Sequence, residues 1–364
     1  MAKDTRKLNL KQLTADVKQW GKNLGFQQIG ITKPELGMHA LYLNRWLQKG
    51  YQADMHYMAR HGSKRSVPDK LEPGTIRIIS ARMDYYPYDN KPIEQLNHLK
   101  NQPLANIATY ALGKDYHKLI RKKLTQLAQQ LQTVIGPIGY RAFSDSAPVM
   151  ERAIANQAGL GWIGKNTMLI NQQAGSLFFL GEIYTNVPLL EDSAASAHCG
   201  SCQRCIDICP TQAIVGPYQI DAGRCIAYLT IEYRGIIPKE FRPLIGNRIF
   251  GCDDCQLICP WNKFAKKSTE PKFQDLQHLN ERTLFDLLML SNEAYLQLTE
   301  GTVMRRPGYE CWQRNIAIAL GNSHMSKEIK FKLLKNRHHF TDFVNLHLDW
   351  ALEQSIRQDS TSHK

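Results

Sequence analysis

Eight of the nine cysteines lie between residues 199 and 259, and their spacing constrains the fold more than any other feature of the chain. The first four follow the C-x2-C-x2-C-x3-C-P pattern that ligates iron–sulfur clusters in two-cluster ferredoxins. The last three end in a second Cys-Pro pair. Zinc is the alternative, because paired C-x2-C runs also form tetrahedral zinc sites. The two Cys-Pro ends favour two [4Fe–4S] clusters.

The ligand sets follow from the way two-cluster ferredoxins exchange cysteines, since the last cysteine of one run ligates the other cluster. The first set is Cys199, Cys202, Cys205 and Cys259. The second set contains Cys209, Cys252 and Cys255 and needs a fourth ligand. Cys225 is the only cysteine left in the window, so we assign it to the second cluster. Cys311, outside the window, is predicted to be a small buried side chain.

The rest of the sequence is typical of a cytoplasmic protein. No apolar run approaches the roughly 20 residues that a membrane-spanning helix needs. The first residues, MAKDTRKLNLKQL, lack the apolar core of a signal peptide. We therefore expect a cytoplasmic location and no membrane contact. In a reducing compartment, clustered thiols are metal ligands more often than disulfides.

The net charge of +13 is concentrated before the cysteine window. Residues 1–198 hold 25 Lys and Arg against 15 Asp and Glu, whereas the two kinds of charge balance in residues 199–262. A basic surface of this size favours a polyanionic partner, nucleic acid above all. Ordinary solubilising charge is the alternative explanation.

Hydrophobic periodicity divides the chain into three predicted domains: residues 1–190, 191–265 and 266–364. Strands alternating with helices predict an α/β first domain. The strands are expected at residues 25–32, 76–87, 105–112, 140–145, 167–171 and 176–186. The second domain is predicted to be ferredoxin-like. Helical periodicity at 281–300, 312–322 and 328–336 predicts a small all-α C-terminal region, which would suit a HEAT-like helix pair.

Asp145 is a candidate catalytic residue at the end of the predicted strand 140–145. Ligand clefts of α/β sheets lie at such strand ends. A partly desolvated carboxyl group there would have a raised pKa and could donate a proton. Local sequence favours a plainer role, in which Asp145 or Ser146 caps a helix over 148–159. The chain has no Walker A motif.

Several segments together resemble the epoxyqueuosine reductase family, which is related to reductive dehalogenases. They are PGTIRIISARMDYYP, YALGKDYH, SDSAPVMERAIANQAGLGWIGKNTMLI, GSLFFLGEIYTN, HCGSCQRCIDICPTQAI, GCDDCQLICPWN and RRPGYECWQRNIAIALGN. The resemblance implies the last step of queuosine synthesis, in which the epoxide of epoxyqueuosine at the wobble base of tRNA is reduced. It implies a tRNA substrate with a GUN anticodon, a cobalamin cofactor in the first domain, two [4Fe–4S] clusters and an external electron donor. We expect a monomer.

The resemblance also implies roles for individual residues. Asp145 would be the proton donor to the opening epoxide. The chain lacks the Asp-x-His-x-x-Gly motif of histidine-ligated cobalamin proteins, since Leu119 and Ile120 follow Asp115–Tyr116–His117–Lys118. The expected cobalamin contacts are Arg65, Tyr110, Asp145, Lys165, Asn166, Thr167, Asp253 and Asp254. The expected tRNA contacts are the basic N-terminal domain and the region around Arg305, Arg306, Arg314 and Asn315.

Two other functions are compatible with the residues themselves. One is a corrinoid enzyme, similar to a reductive dehalogenase, that acts on a small molecule. The other is a noncatalytic electron-transfer subunit that only carries the two clusters. The basic N-terminal half counts against the first, and the long segment before the cysteines counts against the second.

Overall fold

The computed structural model of the chain describes residues 9–275 and 277–361, with side chains as far as residue 357. The α-helices are α1 (Leu10–Asn23), α2 (His39–Gln48), α3 (Tyr57–Arg60), α4 (Pro68–Leu71), α5 (Tyr116–Ile135), α6 (Glu151–Gln157), α7 (Arg204–Asp207), α8 (Ile226–Ile231), α9 (Arg242–Ile245), α10 (Asp254–Leu257), α11 (Leu284–Leu288), α12 (Asn292–Leu298), α13 (Tyr309–Gly321), α14 (Lys327–Lys335) and α15 (Asp342–Thr361). The strands are β1 (Gln28–Thr32), β2 (Arg77–Asp84), β3 (Asn106–Ile107), β4 (Tyr140–Phe143), β5 (Trp162–Ile163), β6 (Leu169–Ile170), β7 (Phe178–Thr185), β8 (Ile214–Gly216), β9 (Gln219–Ile220) and β10 (Arg248–Phe250).

A four-stranded sheet in the order β1-β2-β7-β4 forms the centre of the N-terminal part. Alternate residues of a strand face opposite sides of a sheet. In β2, Ile79 and Met83 therefore pack with helices α1 and α5 in one hydrophobic core, while Ile78 packs in a second core on the side of α6. The register places Ser80 opposite Glu182, so both side chains face α6. The sheet is thus covered by helices on both faces.

Helix α5 begins with Tyr116 and His117, and its sequence explains its position. Asp115 caps its N-terminus by accepting a hydrogen bond from the His117 backbone, and Gly136 ends it with a φ of 88°. The buried residues Ile120, Leu124 and Leu131 recur at helical spacing on the face toward the sheet. The helix comes so close to β7 that a Cβ on Gly181 would lie 2.6 Å from the Ile120 side chain. Glycine at this position permits the close packing.

The predicted mixed α/β domain is confirmed, but its sheet is antiparallel throughout. The argument that placed Asp145 in a cleft at the end of parallel strands therefore does not apply. The predicted strand 105–112 is mostly wrong: only residues 106–107 pair, in parallel with β10, and Thr109–Ala111 form a 3-10 helix. Helix α6 begins at Glu151 without a side-chain cap, so neither Asp145 nor Ser146 caps it.

A second large core joins the cysteine window to the C-terminal helices. Residues from β3, from the stretch 222–250 between the two cysteine runs and from helices α11, α13 and α15 pack in one hydrophobic cluster. Trp312 on α13 is fully buried in it, and Cys311 is buried beside it, as predicted. The division into three domains at residues 190 and 265 remains a working proposal, because the second and third predicted domains share this core.

The C-terminal region is helical as predicted, but it extends further than the sequence periodicity indicated. Helices α11 to α14 lie within or next to the three predicted segments, and α15 adds 20 residues that were not predicted. Helix α15 packs along α13. A HEAT-like pairing of these helices stays a prediction. In the described part of the chain, no helix is both long enough and apolar enough to cross a membrane.

Arg314 and Asn315 of α13 are structural residues, so their predicted contact with tRNA is wrong. The Arg314 side chain is buried and donates hydrogen bonds to the carbonyl oxygens of Leu229, Tyr233 and Gly235, at 2.8–2.9 Å. Asn315 is also buried and donates to two backbone carbonyls, one on α8 and one on β10. These contacts fasten α13 to the stretch between the cysteine runs.

We expect Arg314→Ala to lower the free energy of unfolding by about 2–4 kcal/mol, because three carbonyl groups lose their donor and a cavity forms. Urea unfolding followed by circular dichroism measures this change. Arg305→Ala is the matched control, since Arg305 is exposed, and its effect should stay within about 0.5 kcal/mol. Equal effects of the two substitutions would contradict the structural role of Arg314.

Candidate active site

The four cysteines of the predicted first ligand set surround one cavity. All nine cysteine thiols are free. Cys199, Cys202, Cys205 and Cys259 line a cavity of about 330 Å³, which His198 and Trp261 also line. Among the residues that the structure describes, no three His, Cys, Asp or Glu side chains converge on a point that would hold a single metal ion. Four cysteines around a space suit a cluster of several iron atoms better than one zinc ion.

The predicted second set also comes together. Cys225 interacts electrostatically with Cys209, and Cys255 interacts with both of them. Cys252 in turn interacts with Cys255. The two cysteine runs build this arrangement with the short helices α7 and α10, which contact each other. The exchange of the last cysteines between runs is therefore compatible with the fold.

Asp145 lies in the loop after β4, in an environment that the sequence did not indicate. Its φ of 55° is in the left-handed region, which aspartate tolerates better than most residues. Its backbone N–H donates to Glu151 Oε1 at 2.5 Å. The Tyr116 hydroxyl donates to Asp145 Oδ2, and His117 Nε2 lies 3.5 Å from the same oxygen. The Asp145 side chain remains 58% exposed, so a substrate can reach it.

His117 connects Asp145 to a second carboxylate. Its Nδ1 lies 2.6 Å from Asp115 Oδ1, so the two ring nitrogens face two different carboxyl groups. Desolvation alone would lower the pKa of His117, but the hydrogen bonds with Asp145 and Asp115 raise it above its ordinary value. His117 is therefore suited to carry a proton next to Asp145.

The expected raised pKa of Asp145 is wrong. Desolvation by the surrounding protein would raise it, but the hydrogen bonds from His117 and Tyr116 outweigh this effect, and the pKa of Asp145 is lowered. Donors to a carboxylate stabilise its charged form. Near neutral pH, Asp145 is therefore ionised and accepts the hydrogen bond of the Tyr116 hydroxyl.

Side chains from three parts of the chain face the region beside Asp145. Tyr110 interacts electrostatically with Asp145, with Asp253 of the second cysteine run and with Arg306 of the C-terminal region. Tyr57 interacts with Asp145, Arg306 and Arg65. The site is therefore assembled from the sheet domain, the cysteine window and the helical region.

The residues expected to contact cobalamin fall into two groups. Arg65, Tyr110, Asp145 and Asp253 lie around the region just described, and Asp253 accepts a hydrogen bond from the Thr109 backbone at 2.6 Å.

The second group makes contacts with other parts of the protein. Lys165 Nζ donates to the carbonyl oxygens of Gly200 and Cys202, and Asn166 donates to that of Cys255. These two side chains therefore stabilise the loops that carry the cysteines. Thr167 accepts from Arg152. Asp254 pairs with Arg248 at 2.5 Å.

Sequence reasoning missed four residues around Asp145. Tyr116 and His117 stand in the segment YALGKDYH, which was read only for family resemblance and for the absence of a cobalamin motif. Glu151 follows Asp145 by six positions. Glu182 is fully buried on β7, and a charged residue in the middle of the apolar run SLFFLGEIYTN was the signal that could have identified it.

Comparison with known proteins gives a consistent result. A family model described as epoxyqueuosine reductase QueG, DUF1730, matches residues 65–146, and one described as a 4Fe-4S double cluster binding domain matches residues 198–262. The epoxyqueuosine reductase of Pseudomonas aeruginosa is 54% identical over 344 residues, covering 94% of each chain.

Solved structures of similar proteins share the fold over nearly the whole chain. The Bacillus subtilis epoxyqueuosine reductase, solved with a catalytic loop swung out of the active site, superposes with a TM-score of 0.81 at 29% identity, covering 95% of this chain and 91% of that one. An epoxyqueuosine reductase solved with an epoxyqueuosine-modified tRNA-Tyr stem loop gives a TM-score of 0.76 at 27% identity, covering 95% of this chain and 100% of that one.

The match to a double cluster domain confirms that the cysteine window is a 4Fe-4S double cluster domain, and the P. aeruginosa relative matches this chain almost from end to end. With 54% identity over 94% of both proteins, the chain is an oxidoreductase of the epoxyqueuosine reductase family.

Proposed function

We propose that this protein reduces the epoxide of epoxyqueuosine at the wobble base of tRNA, giving queuosine. The reaction consumes two electrons and two protons, breaks both C–O bonds of the epoxide, forms a C=C bond and releases water. The names of the relatives and the stem loop bound to one of them support this assignment.

The observation that carries the proposal is the placement of a proton-transfer group beside the cluster domain. Asp145, with Tyr116 and His117, faces Tyr110, and Tyr110 also interacts with Asp253 between the second-cluster ligands Cys252 and Cys255. Protons and electrons would thus arrive at the same place. A protein that only carried electrons would not need this network.

The two cysteine sets are proposed to hold two [4Fe–4S] clusters that pass single electrons inward from an external donor. The first set lines a cavity that includes exposed Cys202, so that cluster would lie nearer the surface. The second set includes Cys252, which precedes Asp253 at the candidate site. The order from surface to site would therefore be first cluster, then second cluster.

The residues around Asp145 fit the cobalamin that the family resemblance implies. Arg65 is buried, and its Nε has no hydrogen bond partner among the described residues, so it is available to a ligand with amide oxygens. Tyr57 and Tyr110 add aromatic surface from two different segments. Cobalamin, when bound, would supply the reducing cobalt centre. Arg65, Tyr110 and Asp253 are the residues proposed to hold it.

The protein's own residues would control the proton. His117 carries it beside the ionised Asp145, and the Tyr116 hydroxyl fixes the carboxylate oxygen that would receive it. Asp145 would then protonate the oxygen as the epoxide opens, because an alkoxide is a poor product near neutral pH. Asp145 would thus receive a proton from its neighbours and then donate it to the substrate.

The basic N-terminal part and the exposed Arg305 and Arg306 are proposed to contact the tRNA. Arg306 pairs with Glu232 at 2.6 Å and interacts with Asp145, so it lies at the edge of the site. A tRNA substrate agrees with a cytoplasmic location, which we infer together with a monomeric state.

Anaerobic reconstitution with iron, sulfide and cobalamin, followed by an assay on epoxyqueuosine-containing tRNA with a chemical reductant, tests the proposed function. We expect cobalamin and cluster absorption bands and formation of queuosine, measured by mass spectrometry of tRNA nucleosides. Loaded protein that forms no queuosine would refute the proposal. Turnover of a halogenated small molecule instead would favour the dehalogenase-like alternative.

Asp145→Asn is expected to lower the rate of queuosine formation by about 100-fold or more while tRNA and cobalamin binding persist, because the amide cannot transfer the proton. Single-turnover rates and tRNA binding measured on the same preparation separate the two effects. Asp89→Asn is the matched control at an exposed aspartate on the surface, and it should leave both unchanged. An Asp145→Asn variant with normal rates would remove Asp145 from the mechanism.

Cys225→Ser is expected to lower the iron content from about eight toward about four atoms per chain, because the second cluster loses one of its four thiolates. Iron analysis and electron paramagnetic resonance after anaerobic reconstitution measure this loss. Cys311→Ser replaces a buried cysteine outside both sets and should keep the full iron content. Full iron in Cys225→Ser would show that another residue completes the second set.

Tyr116→Phe is expected to raise the pKa of Asp145, because it removes a donor to the ionised carboxylate and leaves the desolvation in place. Nuclear magnetic resonance of ¹³C-labelled aspartate carboxyl groups follows the titration, and Asp145→Asn identifies the signal. Tyr110→Phe alters a nearby phenol that does not donate to Asp145 and serves as the control. A lower pKa of Asp145 in Tyr116→Phe would contradict the assignment of the hydrogen bond.

A further inference from the structure

A pair of carboxyl groups lies behind Asp145, between the central sheet and α6. Glu182 on β7 is fully buried, and its side chain interacts with that of Glu151 in the first turn of α6. Ser80 on β2 donates to Glu182 Oε1 at 3.3 Å. Glu182 Oε2 has no hydrogen bond donor among the described residues.

Two carboxyl groups can hydrogen bond to each other only if they hold a proton between them. A buried ionised carboxyl group without a cationic partner is strongly disfavoured, and a second charge beside it is more so. Burial, followed by the charge of Asp145, raises the pKa of Glu151 to about 8, and burial and Glu151 raise that of Glu182 well above its ordinary value. The pair therefore keeps at least one proton at neutral pH.

The pair is connected to Asp145. Glu151 Oε1 accepts the backbone N–H of Asp145 at 2.5 Å, so only the reach of one aspartate side chain separates it from the Asp145 carboxylate. One water molecule or a side-chain rotation bridges such a gap. The other titratable or charged groups around the pair are His117 and Tyr116 of α5, Arg152 of α6 and Tyr184 of β7.

We propose that the Glu151–Glu182 pair stores a proton that reaches the substrate oxygen through Asp145. This inference rests on the proposed function, because epoxide reduction delivers two protons to one oxygen, the first on ring opening and the second on release of water. His117, next to the Asp145 carboxylate, supplies the first proton. The carboxyl pair, which contacts the Asp145 backbone through Glu151, reloads Asp145 for the second. The two electrons come from the external donor, and solvent restores the pair after product release.

Glu151→Gln is the central test, because glutamine can still accept the Asp145 N–H and donate to Glu182 but cannot pass on a carboxyl proton. In single turnovers of the reconstituted protein, we expect the wild-type rate to fall above about pH 8, where Glu151 loses its proton. Glu151→Gln should slow queuosine formation at least about 10-fold at neutral pH, with unchanged tRNA binding. Small weak acids such as imidazolium should restore part of the rate.

Tyr184→Phe is the matched control. It removes a buried hydroxyl group next to the pair that has no hydrogen bond partner among the described residues, and it leaves both carboxyl groups in place. Its rate and pH profile should match those of the wild type.

An infrared pH titration of the protein without substrate gives a readout that does not depend on turnover. The carbonyl stretch of a protonated carboxyl group should be present at neutral pH, weaken as the pH rises past about 8, and be absent or shifted in Glu151→Gln and Glu182→Gln. A wild-type protein that shows this band but forms no queuosine would refute the proposed function and leave the stored proton intact. Absence of the band would overturn the stored proton itself.

The kinetic result separates a proton store from a structural anchor. A Glu151→Gln variant with the wild-type rate and pH profile would overturn the proposal. A slow variant that weak acids fail to rescue would also overturn it, since Glu151 would then only hold the Asp145 loop in position.

Discussion

The exchange of cysteines between two distant runs is the constraint on which the rest of the structure depends. Cys259 lines the same cavity as Cys199, Cys202 and Cys205, so the two runs must lie side by side. Because the two runs are adjacent, the residues between them, 222–250, must leave the runs and pack against another part of the protein. It does so against the C-terminal helices, where Arg314 and Asn315 bind the backbone carbonyls of α8 and its neighbours. The helical region therefore helps to hold the two cysteine runs in place.

This packing also explains why the candidate site belongs to no single domain. Parallel pairing of β3 with β10 ties Thr109 and Tyr110 to the cysteine window, and the Thr109 backbone donates to Asp253. Arg306, paired with Glu232, approaches from the helical region. Asp145 approaches from the sheet domain. A substrate at Asp145 would consequently contact three parts of the chain at once, and small shifts between those parts would change the distance from clusters to substrate.

The sequence allowed the ligand sets to be predicted but not the state of Asp145, and the reason is the range of the interactions. Cluster ligation depends on cysteine spacing within each run, which is a local property. The pKa of Asp145 depends on Tyr116 and His117, which are distant in sequence and approach only because α5 packs against β7 through Gly181. The antiparallel sheet and the burial of Arg314 are likewise products of long-range pairing. Local patterns therefore indicated Asp145 as a candidate, but with the wrong electrostatics.

Three carboxyl groups in succession, on Asp145, Glu151 and Glu182, raise the question of which one carries the charge. Like charges this close cannot all ionise at neutral pH. Asp145 has two donors, Tyr116 and His117, and is the most exposed of the three, so the charge is least costly there. Glu182 is fully buried and has only Ser80 as a donor, so burial raises its pKa well above the ordinary value. Burial and, after it, the charge of Asp145 also raise the pKa of Glu151. The donors on α5 thus stabilise the charge of Asp145, and that charge adds to the effect of burial on its neighbours.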